Sequence, residues 1–319
     1  MPYRFLLTIL LCFACSKSEA PPPAATEAEQ EPAVMPKVAA DPSPVFPSVE
    51  LVTAGERPRR VLRRDFAQGS KETLEVRTER KSTKGEVDSA APQMGFNLPP
   101  VTFELALETK EVSSDGTAQV GFEVVSLEVL GACCGYPREV RKVLEESGFE
   151  GTTGKYAIDS QGFVTDVELA SKSAGDDGAW QLLRAVFSQM SVPLPKEEVG
   201  EGGKWIVRRE LEEGGIRVPE VLTVELAKIE GSRIALEVKI DRRASGRAPG
   251  VPVAGSKTVL ELVSEGSQRF QGDLTNLVPE SSRTRSTKKT TSITRGSDGT
   301  AKPTVNGLDS VDTLSVKRK

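Results

Sequence analysis

Several stretches of this chain alternate apolar and polar residues, and this pattern restricts the fold more than any other feature. Apolar residues recur at every second position in residues 101–109 and in residues 234–240: Val101, Phe103, Leu105, Leu107; Ile234, Leu236, Val238, Ile240. A period of two is that of a β-strand with one buried face, as in antiparallel sheets. The run 117–130 changes phase between Val124 and Val125, which predicts a β-bulge. The sequence therefore predicts long, mainly antiparallel strands.

Two segments in the middle of the chain have helical periodicity instead. Residues 137–148 begin with a proline and end at a glycine, and Asp177–Met190 repeats apolar residues three and four positions apart. We expect an α+β fold, in which both helices pack on one face of one or more long, curved, mainly antiparallel β-sheets. Residues 48–319 then form a single body. Short segments of the first half resemble segments of the second half, as residues 61–66 resemble residues 206–211. These similarities are either chance or mark two similar strand blocks. In the second case the halves are 48–135 and 204–319, around a helical insert 136–203.

Three local patterns lead to further structural predictions. Residues 61–66 are expected to form a strand, and residues 259–270 a hairpin that turns at Glu265-Gly266-Ser267. The run 281–295 carries five Lys or Arg residues and no acid, which is typical of an edge strand protected by charge. The alternative is a surface for an anionic glycan, a lipid head group or nucleic acid. Because no aromatic residue is interleaved to stack on bases, nucleic acid is not expected as a partner.

The first fifteen residues predict export. A short basic start is followed by ten apolar residues, FLLTILLCFA, whereas a membrane-spanning helix needs about 20. This length is typical of a signal peptide. A cysteine after the small residue Ala14 resembles a bacterial lipobox, which implies removal of residues 1–14 and lipidation of Cys15. Cys12 departs from the leucine usual at that position. An ordinary secretory signal is the alternative.

Residues 15–47 are expected to form a disordered tether behind the lipidated cysteine. The segment 16–47 holds eight prolines in 32 residues and little apolar content, so it cannot bury enough surface to fold. At roughly 3.1 Å per residue, a polyproline-type linker of this length reaches about 100 Å. Ser16 follows the cysteine where aspartate commonly marks inner-membrane retention. If the cell is Gram-negative, an outer-membrane location is therefore favoured.

The most informative feature of the composition is that the chain contains no histidine. This excludes Ser-His-Asp and Cys-His catalysis and removes the commonest metal ligand. Glycine-rich phosphate loops and Gly-x-Ser-x-Gly are also missing from the sequence. The formal net charge of −4 gives no general signature for nucleic acid. We therefore expect a non-catalytic protein with no cofactor, no metal and no nucleic-acid partner.

Two cysteines remain in the body, and they are adjacent in Gly131-Ala132-Cys133-Cys134-Gly135. Thiols outside the cytoplasm tend to oxidise, and adjacent cysteines can close only a strained ring that is easily reduced. One interpretation of Cys133 and Cys134 is therefore a redox pair. The other, which we favour, is that both pack as small apolar residues in a connector.

The segment 193–205 contains a pattern of one proline, a spacer and Val-Gly-x-Gly-x-x-Trp: Pro193, Val199, Gly200, Gly202, Trp205. Glycines permit a tight entry into a strand, and tryptophan is a large apolar anchor. The pattern resembles one in a family of uncharacterised bacterial lipoproteins, and the resemblance extends over most of residues 61–240. It implies a shared fold, but no activity, because the family's function is unknown. Cys133 and Cys134 are not part of the family pattern.

Together these observations indicate an exported cell-envelope lipoprotein of unknown activity, attached to a membrane through Cys15. The leading hypothesis is a binding or structural module. In its most specific form, the module binds an apolar ligand such as an acyl chain. The alternative is a protein–protein scaffold of the envelope. An enzyme of unrecognised type is the least favoured reading, because the chain has no histidine.

Overall fold

A computed structural model describes residues 47–87, 98–130, 142, 146, 148–170, 177–213, 216–245, 257–294 and 304–319. All of them belong to one compact unit, Phe46–Lys319. The predicted signal peptide, the tether apart from Pro47, and the Cys133-Cys134 pair lie outside the described residues.

The described residues form mainly long antiparallel strands, and they confirm that part of the predicted fold class. The strands are β1 (Ser48–Thr53), β2 (Arg60–Val61), β3 (Lys71–Val87), β4 (Leu98–Val112), β5 (Ala118–Val129), β6 (Thr153–Ile158), β7 (Val164–Leu169), β8 (Glu198–Val199), β9 (Lys204–Glu213), β10 (Ile216–Glu230), β11 (Arg233–Ser245), β12 (Lys257–Asp273), β13 (Ser281–Thr294) and β14 (Thr304–Arg318). Helix α1 (Asp177–Met190) lies between β7 and β8.

Twelve of these strands build one sheet in the order β1-β9-β10-β11-β12-β13-β14-β3-β4-β5-β6-β7, and β2 pairs with β8 alone. All the pairings are antiparallel. Strand β1 joins β9, and β14 joins β3. The N-terminal and C-terminal strand blocks are thus parts of the same sheet.

The prediction of two helices packed on one face is not borne out. Helix α1 has the predicted bounds, and its apolar repeat is buried at Leu183, Val186, Phe187 and Met190. The other predicted helix, 137–148, lies outside the described residues except for Lys142, Glu146 and Gly148. The described part of the chain is consequently mostly antiparallel β-sheet, with few helical residues.

The predicted bulge in β5 is confirmed. In the pairing of β4 with β5, Glu104 faces Ser126 and Leu105 faces Val124, so Val125 is the extra residue. Val124 is buried and Val125 is about half exposed, at 48%. The phase change in the sequence therefore marked the position at which the strand bends.

Three local predictions are wrong, each for a long-range reason. Residues 62–70 belong to no strand but cross the inside of the sheet, with Leu62, Arg64 and Phe66 buried. Residues 259–270 form no hairpin, since β12 runs through Gly266, where a side chain would come within 2.8 Å of the β13 backbone. The basic run is not an edge strand, because β13 lies between β12 and β14.

Two clusters of buried apolar residues form the core. One packs α1 against β3–β6 and β14, and its aromatic centre joins Phe122, Tyr156 and Phe187, with ring centroids 4.8–6.4 Å apart. The other packs residues 192–199 against β9–β11 around Trp205. The segment 54–70, here called the strap, contributes Phe66 to the first cluster and Leu62 to the second.

Helix α1 is too short to cross a bilayer, and the described residues hold no other helix that could do so.

Candidate functional site

The predicted motif residues meet where the strap crosses the entry to β9. The Trp205 indole is fully buried, and its Nε1–H donates to the Pro193 carbonyl at 2.8 Å. Val199 is buried and pairs with Arg60 of the strap. A side chain at Gly200 would come within 1.8 Å of the Glu56 carbonyl oxygen. The structure thus places the glycine and the tryptophan in a packing seam between two chain segments.

Gly202 contributes the turn that leads into β9. Its φ of +73° lies in the left-handed region, where glycine carries no steric penalty. Its N–H donates to the Leu226 carbonyl at 2.8 Å, which fixes the turn to β10. Of the other predicted site residues, Cys15, Cys133 and Cys134 lie outside the described part of the chain.

A row of polar residues crosses the inner face of the sheet at one level. Directly opposed residues on neighbouring antiparallel strands point to the same face. The register therefore aligns six inward-facing residues, one from each strand from β9 to β14: Arg209, Glu220, Arg242, Ser264, Lys288, Ser310. We call this set the charged row.

Glu220 is the most deeply buried charge in the row. Its side chain is fully buried, and its two carboxylate oxygens accept from Nε of Arg209 and, at 2.7 Å, from Nε of Arg242. Burial alone would raise the pKa of Glu220, but the two guanidinium charges and their hydrogen bonds outweigh it and lower the pKa. Glu220 is therefore an ionised carboxylate held between two cations.

The charged row also holds the end of helix α1. The Arg209 Nη2 group donates to the Ser188 carbonyl at 2.6 Å. Two levels further along the sheet, the Gln268 amide donates to the Gln189 carbonyl at 2.7 Å and to the Ser282 hydroxyl at 2.8 Å. The last carbonyls of a helix lack partners within the helix and carry partial negative charge. Donors from β9 and β12 thus satisfy the end of α1.

Small polar side chains occupy the inner face of β12–β14. Six buried residues there are serine, threonine or glutamine: Ser264, Gln268, Ser282, Thr284, Ser286, Ser310. The hydroxyls of Ser264 and Thr284 and the amide oxygen of Gln189 are buried, and they have no hydrogen-bond partner among the described residues. Buried polar atoms are normally satisfied, so unpaired ones indicate a place for water or a ligand.

The β13–β14 end of the row is the more open end. Burial lowers the pKa of the Lys288 ammonium to about 8, and the nearby Arg80 guanidinium contributes in the same direction. Arg80 forms a two-point ion pair with Asp312 at 2.7 and 2.8 Å, and its side chain is 44% exposed. Among the described residues, the charged row and the Arg80–Asp312 pair together contain four cations and two carboxylates. Its charge therefore favours an anion.

The polarity of the inner face changes along the strands. Three levels away from the charged row, the aligned inward residues are almost all apolar: Leu236, Phe270, Ser282, Val316, Val76, Phe103. The inner face is thus amphipathic, with an apolar end and a cationic end. By contrast, a depression of about 170 Å³ between Arg77 and Arg283 lies on the outer face.

The sequence contains a signal for this site in the phase of its alternation. Glu220 stands at the apolar phase of the alternation Val218-x-Glu220-x-Leu222, and Arg64 stands likewise between Leu62 and Phe66. A charge at an inward position of a strand indicates a buried ionic contact. Its partners could not be predicted, because they lie on other strands.

Among the residues that the structure describes, no three His, Cys, Asp or Glu side chains are grouped as a metal site requires. No protein-family model matches the sequence, and no curated protein matches it.

Proposed function

We propose that this chain is a lipid-anchored protein of the bacterial cell envelope that binds an anionic amphiphile on the inner face of its sheet, without catalysis. The amphipathic inner face carries the proposal. Its apolar end suits a hydrocarbon chain, and its cationic end suits a negatively charged head group. The lipobox-like Cys15 supports the membrane anchor, and the lack of histidine supports a binding role. The family of uncharacterised lipoproteins remains the class that the sequence resembles.

The small side chains of β12–β14 explain where a head group would lie. Serine, threonine and glycine leave more space over a strand than the leucine, valine and phenylalanine of the neighbouring strands do. Their hydroxyls can donate to or accept from a glycerol or phosphate group. We expect the head group to contact Thr284, Ser264 and Lys288, with Arg80 at the more exposed end.

The first test is native mass spectrometry of the unit Phe46–Lys319, purified from cells without detergent. A reproducible additional mass that is extracted as lipid would support the proposal. Affinities for lysophosphatidylglycerol and lysophosphatidylcholine of equal chain length then test the head group. We expect the anionic lipid to bind about tenfold more tightly, because the zwitterionic lipid brings a choline cation close to the cationic end of the face. A bare chain mass together with equal affinities would contradict the proposal.

Two adjacent lysines provide a matched pair of variants. Lys288 points inward in the charged row, whereas Lys289 is exposed on the outer face. Lys288→Ala should weaken binding of the anionic lipid about tenfold, and Lys289→Ala should leave it unchanged. Because the pKa of Lys288 is about 8, binding to the unmodified protein should also weaken as the pH rises through 8. Equal losses in both variants would show that the inner face is not the site.

The scaffold alternative rests on a different observation. Strands β1 and β7 end the sheet, and no described strand pairs with their outer edges. An open edge can accept a strand of a partner protein. Cross-linking in intact cells from Thr165, on β7, would test this. A specific cross-linked protein together with a bare chain mass would favour the scaffold.

A further inference from the structure

A second polar site lies inside the molecule, away from the charged row. Arg64, in the middle of the strap, is only 4% exposed. One of its terminal nitrogens, Nη1, donates to the Asn276 carbonyl at 3.2 Å, and its guanidinium carbon lies 5.7 Å from the centre of the Phe270 ring. Its Nε and Nη2 groups are buried and have no hydrogen-bond partner in the described part of the chain. One whole edge of the guanidinium is thus unused.

Two other side chains, Tyr156 and Glu72, also have unused polar atoms, and Glu72 binds the residue that follows Asn276, the partner of Arg64. The Tyr156 hydroxyl and one oxygen of Glu72, Oε2, are buried, and neither has a partner among the residues described. The other Glu72 oxygen accepts from the Leu277 N–H at 2.7 Å. Burial lowers the pKa of Arg64 to about 10, and electrostatic interactions with Glu72, Tyr156 and Asp273 act in the opposite direction. Arg64 remains a cation at neutral pH.

The arrangement leaves a buried cation without a direct counter-ion. No ion pair joins Arg64 to a carboxylate among the residues seen here, although burying an isolated charge is costly. The open edge, Nε–H and Nη2–H, presents two parallel donors. This spacing matches two oxygens of a carboxylate or phosphate group.

We propose that Arg64, Tyr156 and Glu72 form an internal binding site for a small protonated oxyanion of the phosphate class. The open edge of Arg64 donates to two oxygens and the Tyr156 hydroxyl donates to a third. Oε2 of Glu72 accepts from the protonated oxygen, which explains why an acceptor stands beside the donors. A lipid phosphodiester has no protonated oxygen, so the site favours a free ion over a lipid head group. None of the three residues belongs to the charged row, and this site is independent of the amphiphile proposal.

The same four atoms could instead be satisfied by ordered water. Buried waters typically make about three hydrogen bonds to otherwise unpaired polar groups. Water alone would leave the Arg64 charge without a counter-ion, which is why we favour the anion. The two occupants differ in a measurable way, because only the anion makes stability depend on its concentration.

The test is calorimetric titration of inorganic phosphate into the full chain, purified in detergent and dialysed against phosphate-free buffer. Sodium chloride at equal ionic strength is the control titrant. Arg64→Lys keeps the charge but loses the two-donor edge, so we expect phosphate affinity to fall about tenfold. Arg208→Lys, in which a partly exposed arginine paired with Glu50 is changed in the same way, should bind phosphate normally.

A second variant keeps the test decisive if Arg64→Lys fails to fold. Tyr156→Phe removes only the hydroxyl and preserves the ring that packs 4.8 Å from Phe187. We expect it to weaken phosphate binding several-fold while lysophosphatidylglycerol binding stays unchanged. The proposal is overturned if phosphate produces no heat, if both variants bind it like the unmodified protein, or if a high-resolution crystal structure grown in phosphate shows only water at these three side chains.

Discussion

At the scale of single residues, the charges at inward positions set this protein apart from an ordinary β-sheet body. Arg64 and Glu220 are buried where the alternation of their segments calls for apolar side chains. Each charge requires partners from distant parts of the chain. Glu220 finds them in Arg209 and Arg242, on the two neighbouring strands. The sequence shows the unusual residue but not its partners, because pairing register is a long-range property.

Glu220→Gln should strongly destabilise the body. The variant leaves two buried guanidinium groups without their shared carboxylate, and removing one partner of a buried ion pair costs about 3–5 kcal/mol. Urea unfolding at pH 7 measures the change. Glu225→Gln, on the same strand but in a surface pair with Lys204, is the matched control and should cost about 0.5 kcal/mol or less.

The effect of Glu220→Gln on the unfolding free energy should depend on pH. The pKa of Glu220 is lowered from 4.5, so its stabilising effect is fully present above about pH 4.5 and is lost as the pH falls through the lowered value. The difference in unfolding free energy between the unmodified protein and Glu220→Gln should therefore shrink below pH 4.5. A difference that is constant from pH 7 to pH 3 would show that Glu220 is not ionised.

At the scale of elements, clean alternation predicted strands well, but their neighbours could not be predicted from it. The bulge in β5 and the bounds of α1 were both visible in the sequence. The predictions for β12 and β13 are wrong, because a glycine in mid-strand resembles a turn and a polar internal strand resembles an edge strand. In the sheet, Gly266 admits the close approach of β13. Arg283 and Arg285 of β13 face outward, while the hydroxyls of Ser282, Thr284 and Ser286 face inward.

The polar inner face of β13 allows a test of whether its residues serve ligand binding rather than stability. Thr284 is 3% exposed, and its hydroxyl has no partner within the described ranges. In ligand-free protein, Thr284→Val should raise the unfolding free energy by about 1 kcal/mol, since an unpaired buried hydroxyl is removed. Thr287→Val, at an exposed position of the same strand, should have little effect.

The two threonine variants should differ in binding as well as in stability. Thr284→Val is expected to weaken binding of lysophosphatidylglycerol, and Thr287→Val is not. Chemical unfolding and lipid titration of the two variants give both quantities. If Thr284→Val destabilises the ligand-free body, its hydroxyl is satisfied internally, and the case for a ligand at that position fails.

At the scale of the whole molecule, the sheet joins both ends of the described chain. Strand β1 pairs with β9, and β14 near the C-terminus pairs with β3. These contacts link residues more than 150 positions apart, and no local pattern encodes them. The order of the strands was for that reason beyond prediction.

The proposed anchor can be tested apart from the body, because Cys15 and the tether precede that compact unit. Mass spectrometry of the mature chain should find residues 1–14 removed and acyl chains on Cys15, since several chains on one residue are needed for stable attachment. Cys15→Ala should abolish the acyl mass, whereas Cys12→Ala, three residues earlier in the signal segment, should leave it. Neither change should alter urea unfolding of the body. A mature chain that is cleaved elsewhere and carries a free Cys15 thiol would instead show an ordinary secretory signal, and the protein would then bind its ligand unanchored.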